Sequence, residues 1–191
     1  MRISLMLTAV SALLTAGGVL DGTRRRMGIT KGKALFFLLC AAALSSFEAE
    51  SEWGGIFPAC VLIPAWVFGH TLARSERPGA VVLSLPLSAL AGLLLYPLAN
   101  STGEWAIFAA GAVSGAVSFA IGMGAGLPTA ALLPVFLHAS AYVSDLISFG
   151  WGGLELAENC LSMQLAGLML SVFAVWARST VRTNVRILSA E

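Results

Sequence analysis

Long apolar stretches, separated by short polar or glycine-rich segments, follow one another along almost the whole chain. A helix rises about 1.5 Å per residue, so roughly 20 apolar residues cross the hydrocarbon core of a bilayer. The pattern predicts seven spans, at residues 3–20, 33–47, 53–72, 79–99, 104–124, 128–149 and 160–176. The second is the shortest and needs flanking residues to continue its helix. The predicted fold class is therefore all-α: a polytopic transmembrane helical bundle that forms one integral membrane domain over residues 1–191.

Lysine and arginine occupy every second segment between these stretches. They lie between stretches one and two (Arg24, Arg25, Arg26, Lys31, Lys33), between three and four (Arg74, Arg77), and after the seventh (Arg178, Arg182, Arg186). Only Arg2 falls on the other side, while the remaining segments hold acidic residues. Cations resist translocation in short loops, so we expect the N-terminus outside and the C-terminus in the cytoplasm. The first stretch resembles a secretory signal, but we expect it to be retained, because its removal would leave Arg24–Arg26 at a translocated end.

Composition excludes several other classes of protein. The chain is 58% apolar and 11% charged, against about 25% charged residues in soluble proteins, so a water-soluble globule and a disordered chain are both excluded. The net charge of +1 offers no field for nucleic acid. Cys40, Cys60 and Cys160 stand apart in apolar runs with no histidine nearby, so we expect isolated buried thiols and neither a metal nor another cofactor.

Small residues recur along the fifth stretch. Gly111 and Gly115 form a GxxxG pattern, and Ser114, Ser118 and Gly122 continue a second row at the same four-residue step. Helices in lipid associate through such close-packing residues, so we predict that this row packs against another helix, with an oligomer contact or a gating role as alternatives. The glycine-rich run that follows, up to Pro128, predicts a helix break or a tight turn into the sixth stretch.

Polar residues mark the sixth stretch as the candidate interior. His138, Tyr142 and Asp145 share one helix face, and an ionisable group inside a span is by default a candidate for a substrate or proton pathway. Counting from a turn near Leu127, Ser114 and His138 reach similar depth, so a contact between them is predicted to be within reach. By contrast, we interpret His70 as an interfacial residue close to Arg74.

Two resemblances bear on function. Four short segments occur in a fixed order: Leu20–Asp21, the run 27–35, Gly54–Gly55 with Pro58, and Ser144–Asp145–Leu146. In this order the chain resembles a family of small bacterial and archaeal multipass membrane proteins that is defined only as a domain of unknown function. That resemblance implies architecture and no activity, and Glu155, Glu158 and Asn159 stand where the family has a second aspartate. The segment 112–115 is similar to the serine motif of rhomboid intramembrane proteases, although here the serine and histidine helices are consecutive.

Three hypotheses follow, and the first is preferred. It is a noncatalytic, transporter-like or solute-handling protein of the bacterial cytoplasmic membrane, with the fifth and sixth stretches as its polar interior. The second is a membrane scaffold or accessory subunit that assembles a homo- or hetero-oligomer through Gly111 and Gly115. The third is an intramembrane hydrolase that uses Ser114 with His138, or Asp145 with an outer acid such as Glu155 or Glu158. The expected partners are membrane lipids.

Overall fold

The computed structural model describes residues 3–19, 21–26, 28–44, 49–51, 54–56, 58–101, 103–145 and 154–188. Across these residues the chain is helical apart from one short hairpin. The helices are α1 (Ile3–Ala16), α2 (Asp21–Arg26), α3 (Lys31–Leu44), α4 (Pro58–Arg74), α5 (Pro78–Ser101), α6 (Gly103–Ala120), α7 (Met123–Asp145) and α8 (Leu154–Leu188). Strands β1 (Ala49–Ser51) and β2 (Gly54–Ile56) pair in antiparallel fashion with Glu50 opposite Gly55.

The prediction of a helical bundle is confirmed, and each predicted apolar stretch overlaps one of the seven longer helices. Two elements were not predicted: the six-residue helix α2, which contains the arginine run, and the hairpin. The hairpin occupies the start of the third predicted stretch, so α4 begins later, at Pro58. Proline suits the first position of a helix, because its missing N–H would have no intrahelical partner there.

The break between α6 and α7 lies at Gly122, at the start of the predicted glycine-rich run and five residues before the turn near Leu127 that was used to compare depths. Gly122 has a φ of +121°, and its amide donates to the carbonyl of Val117, which ends α6. Glycine adopts this left-handed conformation without the strain a side chain would add. Because α7 already begins at Met123, Pro128 lies inside the helix instead of starting it.

Helix α7 lies at the centre of the bundle and contacts α4, α5, α6 and α8. One apolar cluster joins α3, α4, α7 and α8 around Ile63, Ala131 and Leu161, and a second joins α6, α7 and α8 around Leu133 and Met163. Helix α1 packs against α3 and α8, so α1, α3, α4, α7 and α8 form a ring. The cavities described below lie in that ring.

By length and composition, two of the described helical segments could cross a bilayer: Pro78–Pro97, with a mean hydropathy of 2.0, and Glu158–Val181, with 1.8. The other apolar helical segments over described residues, such as Ile3–Ala16 and Met123–Ala139, are shorter. Hydropathy therefore indicates membrane association without fixing the number of spans.

Candidate functional site

The histidine of the predicted polar face is buried within α7. His138 is 8% exposed, and its Nδ1 lies 2.6 Å from the carbonyl oxygen of Pro134, one turn earlier in the same helix. Tyr142 and Asp145 belong to the last turns of α7, but their side chains lie outside the part of the chain that the structure describes. The predicted grouping of the three side chains therefore stays a prediction.

Ser114 and His138 are further apart along the bundle than the sequence indicated. A Cβ placed on Gly167 of α8 would lie 3.0 Å from Ala130 and 3.2 Å from Ser114 Oγ, so Ser114 is level with Ala130. His138 is eight residues further along α7, about 12 Å at the rise of a helix. The predicted equal depth is wrong because the turn lies at Gly122 and not near Leu127. Ser114 Oγ instead donates to the carbonyl of Ala110 at 2.7 Å.

The small residues of α6 divide between two helices and a turn. Cβ atoms added at Gly111 and Gly115 would lie 2.6 and 3.6 Å from Leu170, so this face packs against α8 of the same chain. Ser118 faces α7, where a Cβ on Gly126 would lie 2.6 Å from the Ser118 Cα. A Cβ on Gly122 would meet nothing within 4 Å, because this glycine forms the turn.

Two buried polar side chains of α8 contact backbone carbonyls of other helices. Gln164 is fully buried, and its Nε2 donates to the carbonyls of Cys60 at 3.2 Å and Ala131 at 3.1 Å. Ser171 Oγ lies 3.3 Å from the Ser114 carbonyl and 3.4 Å from the Gly126 carbonyl. Polar side chains thus hold α4, α6, α7 and α8 together, and their donors are used for structure instead of facing an open channel.

An aromatic stack that the sequence analysis did not single out lies between α3 and α4. The rings of Phe37 and Trp66 are stacked with centroids 4.5 Å apart, and His70 stacks on Trp66 at 5.2 Å with an interplanar angle of 9°. Trp66, His70 and Arg74 follow one another at four-residue steps, which places them on one face of α4. That spacing is the signal in the sequence that could have identified the stack.

Three cavities share His70 as a lining residue. A partly open cavity of about 150 Å³, the five-helix cavity, lies among α1, α3, α4, α7 and α8, and Ser11 and Trp66 contribute to its mostly apolar wall. A groove of about 530 Å³ runs between α3 and α4 from Lys33 to Leu44. A third cavity, of about 120 Å³, lies at the end of α4 beside Arg74. We call these three spaces the His70 cavities.

One polar group in the five-helix cavity has no hydrogen-bond partner among the described residues. Ser11 Oγ is buried, whereas the neighbouring Thr15 hydroxyl donates to the Ser11 carbonyl at 2.7 Å. A buried hydroxyl without a partner costs about 1–3 kcal/mol. The Ser11 hydroxyl is therefore a polar group that this cavity offers to a ligand.

The cations near the His70 cavities differ in how they are neutralised. Asp21 binds Arg24 at 3.1 Å and Lys31 at 3.6 Å. Partial removal from solvent opposes ionisation of Asp21, but the Arg24 hydrogen bond and the charges of Lys31 and Arg24 outweigh it and lower the pKa of this carboxyl. Among the described residues, Lys33 and Arg74 have no carboxylate within ion-pair distance. These two cations are thus available to an anion.

The side chains that line the His70 cavities offer aromatic rings, hydroxyl groups and cations as binding groups. Among the described residues, no group of three or more His, Cys, Asp and Glu side chains could hold a metal ion. Cys160 is buried and Cys40 and Cys60 are partly buried, and the side chains of Cys60 and Cys160, far apart in sequence, interact between α4 and α8. Comparison with known proteins adds no assignment: no family model, curated protein or solved structure matches the chain.

Proposed function

We propose that the chain is an integral membrane protein of seven transmembrane helices, N-terminus outside and C-terminus in the cytoplasm, that binds an anionic amphiphile in the His70 cavities. One observation supports the binding function. His70 lines all three cavities, Lys33 lines one of them and Arg74 another, and no described carboxylate neutralises either cation. Binding of this kind is the central step of a transporter-like or solute-handling component.

The pattern of buried and exposed residues supports the membrane part of the proposal, because polar residues are buried and apolar residues are exposed, the reverse of a soluble protein. On α1 the buried residues are Ser4, Thr8, Ser11 and Thr15, whereas Leu13 is 72% exposed. An amphipathic helix in water places its apolar face inward. A polar inner face and an apolar outer face instead suit lipid, where small and hydroxyl residues mediate helix contacts.

The same inversion extends over the bundle. Phe36, Leu94 and Phe108 are 67–71% exposed on three different helices, while Ser84 and Ser88 of α5 are fully buried. Apolar patches of this extent on soluble monomers mark a partner or a membrane. Lipid is the occupant that covers exposed faces on several helices at once. At 14 residues, α1 and α3 reach only about 21 Å, so the proposal includes local thinning of the bilayer around them.

The charges support the proposed orientation. Arg74 at the end of α4 lies against Gly28, where an added Cβ would come within 2.9 Å of Arg74 Nη1. The segments before α3 and after α4 therefore meet at one end of the bundle, the end where Arg24 and Lys31 also lie. Cations at one end are expected on the cytoplasmic side.

The shape and lining of the groove indicate an amphiphile. Its volume of about 530 Å³ falls within the range of about 300–1,000 Å³ typical of ligand sites. The walls are mainly apolar along α3 and α4, with Ile63 and Trp66 among them, and Lys33 lies at one end. A hydrocarbon tail fits the walls, and a phosphate or carboxylate head fits the cationic end. An anionic membrane lipid has both parts.

The alternatives receive less support. The Gly111 and Gly115 face that would assemble an oligomer is packed against Leu170 of the same chain. In the described residues, Ser114 and His138 each form a hydrogen bond within their own helix and none with each other. Neither arrangement favours the scaffold or the serine hydrolase hypothesis over amphiphile binding.

The test is native mass spectrometry of the purified protein with phosphatidylglycerol and phosphatidylcholine of matched chains. We expect preferential retention of phosphatidylglycerol, and a loss of at least about tenfold in Lys33→Gln/Arg74→Gln, since each cation near an anionic lipid contributes about 1 kcal/mol. Arg25→Gln/Arg77→Gln also removes two positive charges, from residues that line none of the cavities, and is the control. Ala65→Phe, which fills the groove, should lower binding of both lipids, whereas Leu39→Phe on the exposed face of α3 should not. Equal retention of the two lipids by the wild type would refute the proposal.

A further inference from the structure

Two cysteines from distant parts of the sequence meet near one end of the bundle. Cys60 is the third residue of α4, and Cys160 is the seventh residue of α8. The Cys60 and Cys160 side chains interact across the contact between α4 and α8, and neither cysteine is in a disulfide. Cys40 lines the groove between α3 and α4, and it is not in a disulfide either.

The surrounding backbone holds the two helices together at this point. Gln164, one turn after Cys160, donates to the Cys60 carbonyl at 3.2 Å. Ala59 and Leu161, the sequence neighbours of the two cysteines, belong to the same buried cluster. The two helices are thus held together beside the cysteine pair by one hydrogen bond and by apolar packing.

We propose that Cys60 and Cys160 form a reversible disulfide that links α4 to α8, made by thiol–disulfide exchange with a disulfide-bearing oxidant. The site of modification follows from the contact in the fold. Only the compartment rests on the proposed orientation, which places the start of α4 on the translocated side, where disulfides persist.

The exchange begins at Cys60, because Cys60 is partly exposed and Cys160 is buried. The Cys60 thiol loses its proton, and the thiolate attacks one sulfur of the oxidant. The S–S bond of the oxidant breaks, and its first thiol leaves. Cys160 then loses its proton and attacks the Cys60 sulfur, which releases the second thiol. The two cysteines give up two electrons and two protons, and the oxidant disulfide is reduced to two thiols.

The crosslink would act on the His70 cavities. The five-helix cavity lies between Trp66 and Val67 of α4 and Leu165 and Leu168 of α8. Cys60 is less than two turns before Trp66, and Cys160 is a little over one turn before Leu165. A covalent link between the helices therefore limits the separation of these two walls.

The test uses the purified full-length protein in detergent, treated with dithiodipyridine as the disulfide oxidant. In Cys40→Ala we expect two thiopyridone molecules released per protein and no pyridyl adduct retained, with a Cys60–Cys160 crosslinked peptide after digestion. Cys40→Ala/Cys160→Ala and Cys40→Ala/Cys60→Ala are the matched controls. Each should release at most one thiopyridone and keep the adduct.

Stable adducts on both Cys60 and Cys160, or no reaction at either while the unfolded protein reacts at both, would overturn the proposal. The wild type gives an independent measurement. After treatment with the oxidant, Cys60 and Cys160 should be linked to each other, and Cys40 should be the one cysteine that is not linked to another cysteine of the chain. These outcomes involve neither lipid nor orientation. They therefore separate failure of this inference from failure of the amphiphile-binding function.

Discussion

Gln164 replaces the hydrogen bond that Pro64 removes from α4. Proline has no N–H, so the carbonyl four residues before it, that of Cys60, has no donor within its own helix. Gln164 Nε2 donates to this carbonyl at 3.2 Å from α8, 104 residues away in sequence. Pro64 is itself buried inside α4. The relationship explains why a fully buried amide stands in an otherwise apolar stretch of α8.

The first prediction is a nonadditive effect of changing these two residues. Gln164→Leu keeps the side-chain volume but leaves the Cys60 and Ala131 carbonyls without this donor, and we expect a loss of about 1–3 kcal/mol in the free energy of unfolding. Pro64→Ala supplies the missing N–H, so Gln164→Leu should cost less in that background. Denaturation of the four proteins in a mixed micelle measures the coupling. Strictly additive losses would contradict the proposed relationship.

The second prediction concerns close packing between α5 and α7. A Cβ at Gly92 would lie 2.8 Å from the Leu137 amide nitrogen and 2.9 Å from the Phe136 carbonyl carbon, so Gly92→Ala must separate two backbones. We expect a loss of about 1–3 kcal/mol, typical of overpacking. A Cβ at Gly79 would meet nothing within 4 Å, and Gly79→Ala in the same helix is the control. Equal melting temperatures of the two variants would argue against this contact.

The third prediction concerns the start of α1. Glu158 of α8 accepts hydrogen bonds from the Ser4 amide and the Ser4 hydroxyl, both at 2.6 Å. The amide is one of the first-turn donors that a helix cannot satisfy internally. Glu158→Ala should therefore loosen the first turn of α1 and cost about 1–3 kcal/mol, with Glu158→Gln intermediate. Hydrogen exchange at residues 4–8 should rise in Glu158→Ala. It should stay unchanged in Glu76→Ala, because Glu76 lies in the loop between α4 and α5.

The sequence predicts features that depend on neighbouring residues better than features that depend on residues far apart in the chain. The helices could be placed from apolar run length and from the glycines, prolines and charges between the runs. The α6–α7 turn was misplaced because Gly122 and Pro128 both look like breaks, and only the conformation of Gly122 distinguishes them. Within a long apolar helix, proline is tolerated when other groups supply the lost hydrogen bond.

The candidate site was harder to predict, because its parts come from separate helices. Trp66 and His70 share a face of α4, but their stacking with Phe37 depends on how α3 packs. The Cys60–Cys160 contact likewise depends on α8 lying beside α4, and no spacing within one stretch encodes it. The charged and polar residues within single spans indicated His138 instead, but its Nδ1 is hydrogen-bonded to a carbonyl of its own helix.

The fourth prediction concerns pH and the Asp21 ion pairs. The folded protein lowers the pKa of Asp21, because the Arg24 hydrogen bond and the nearby cations outweigh the effect of desolvation. A carboxyl with a lowered folded pKa contributes stability above its unfolded pKa, and the contribution disappears as the pH falls through the folded value. Asp21→Asn should therefore melt below the wild type near neutral pH, and the gap should close in acid. A gap that widened below pH 3.8 would contradict this sign.

The fifth prediction tests the proposed membrane topology, on which the cytoplasmic placement of the His70 cavities depends. Fusions of a fluorescent protein that folds only in the cytoplasm should be bright after Gly28, Glu76 and Gly122, because cationic segments or the α6–α7 turn precede these points. Fusions of a phosphatase that is active only outside should work after Glu50 and Ser101. The physical reason is that Lys and Arg in short loops resist translocation. Replacing Arg74 by glutamine in the Glu76 fusion should weaken its cytoplasmic signal, whereas one Lys→Gln change in the reporter should not. A bright cytoplasmic reporter at both Glu50 and Ser101 would remove the basis for seven spans.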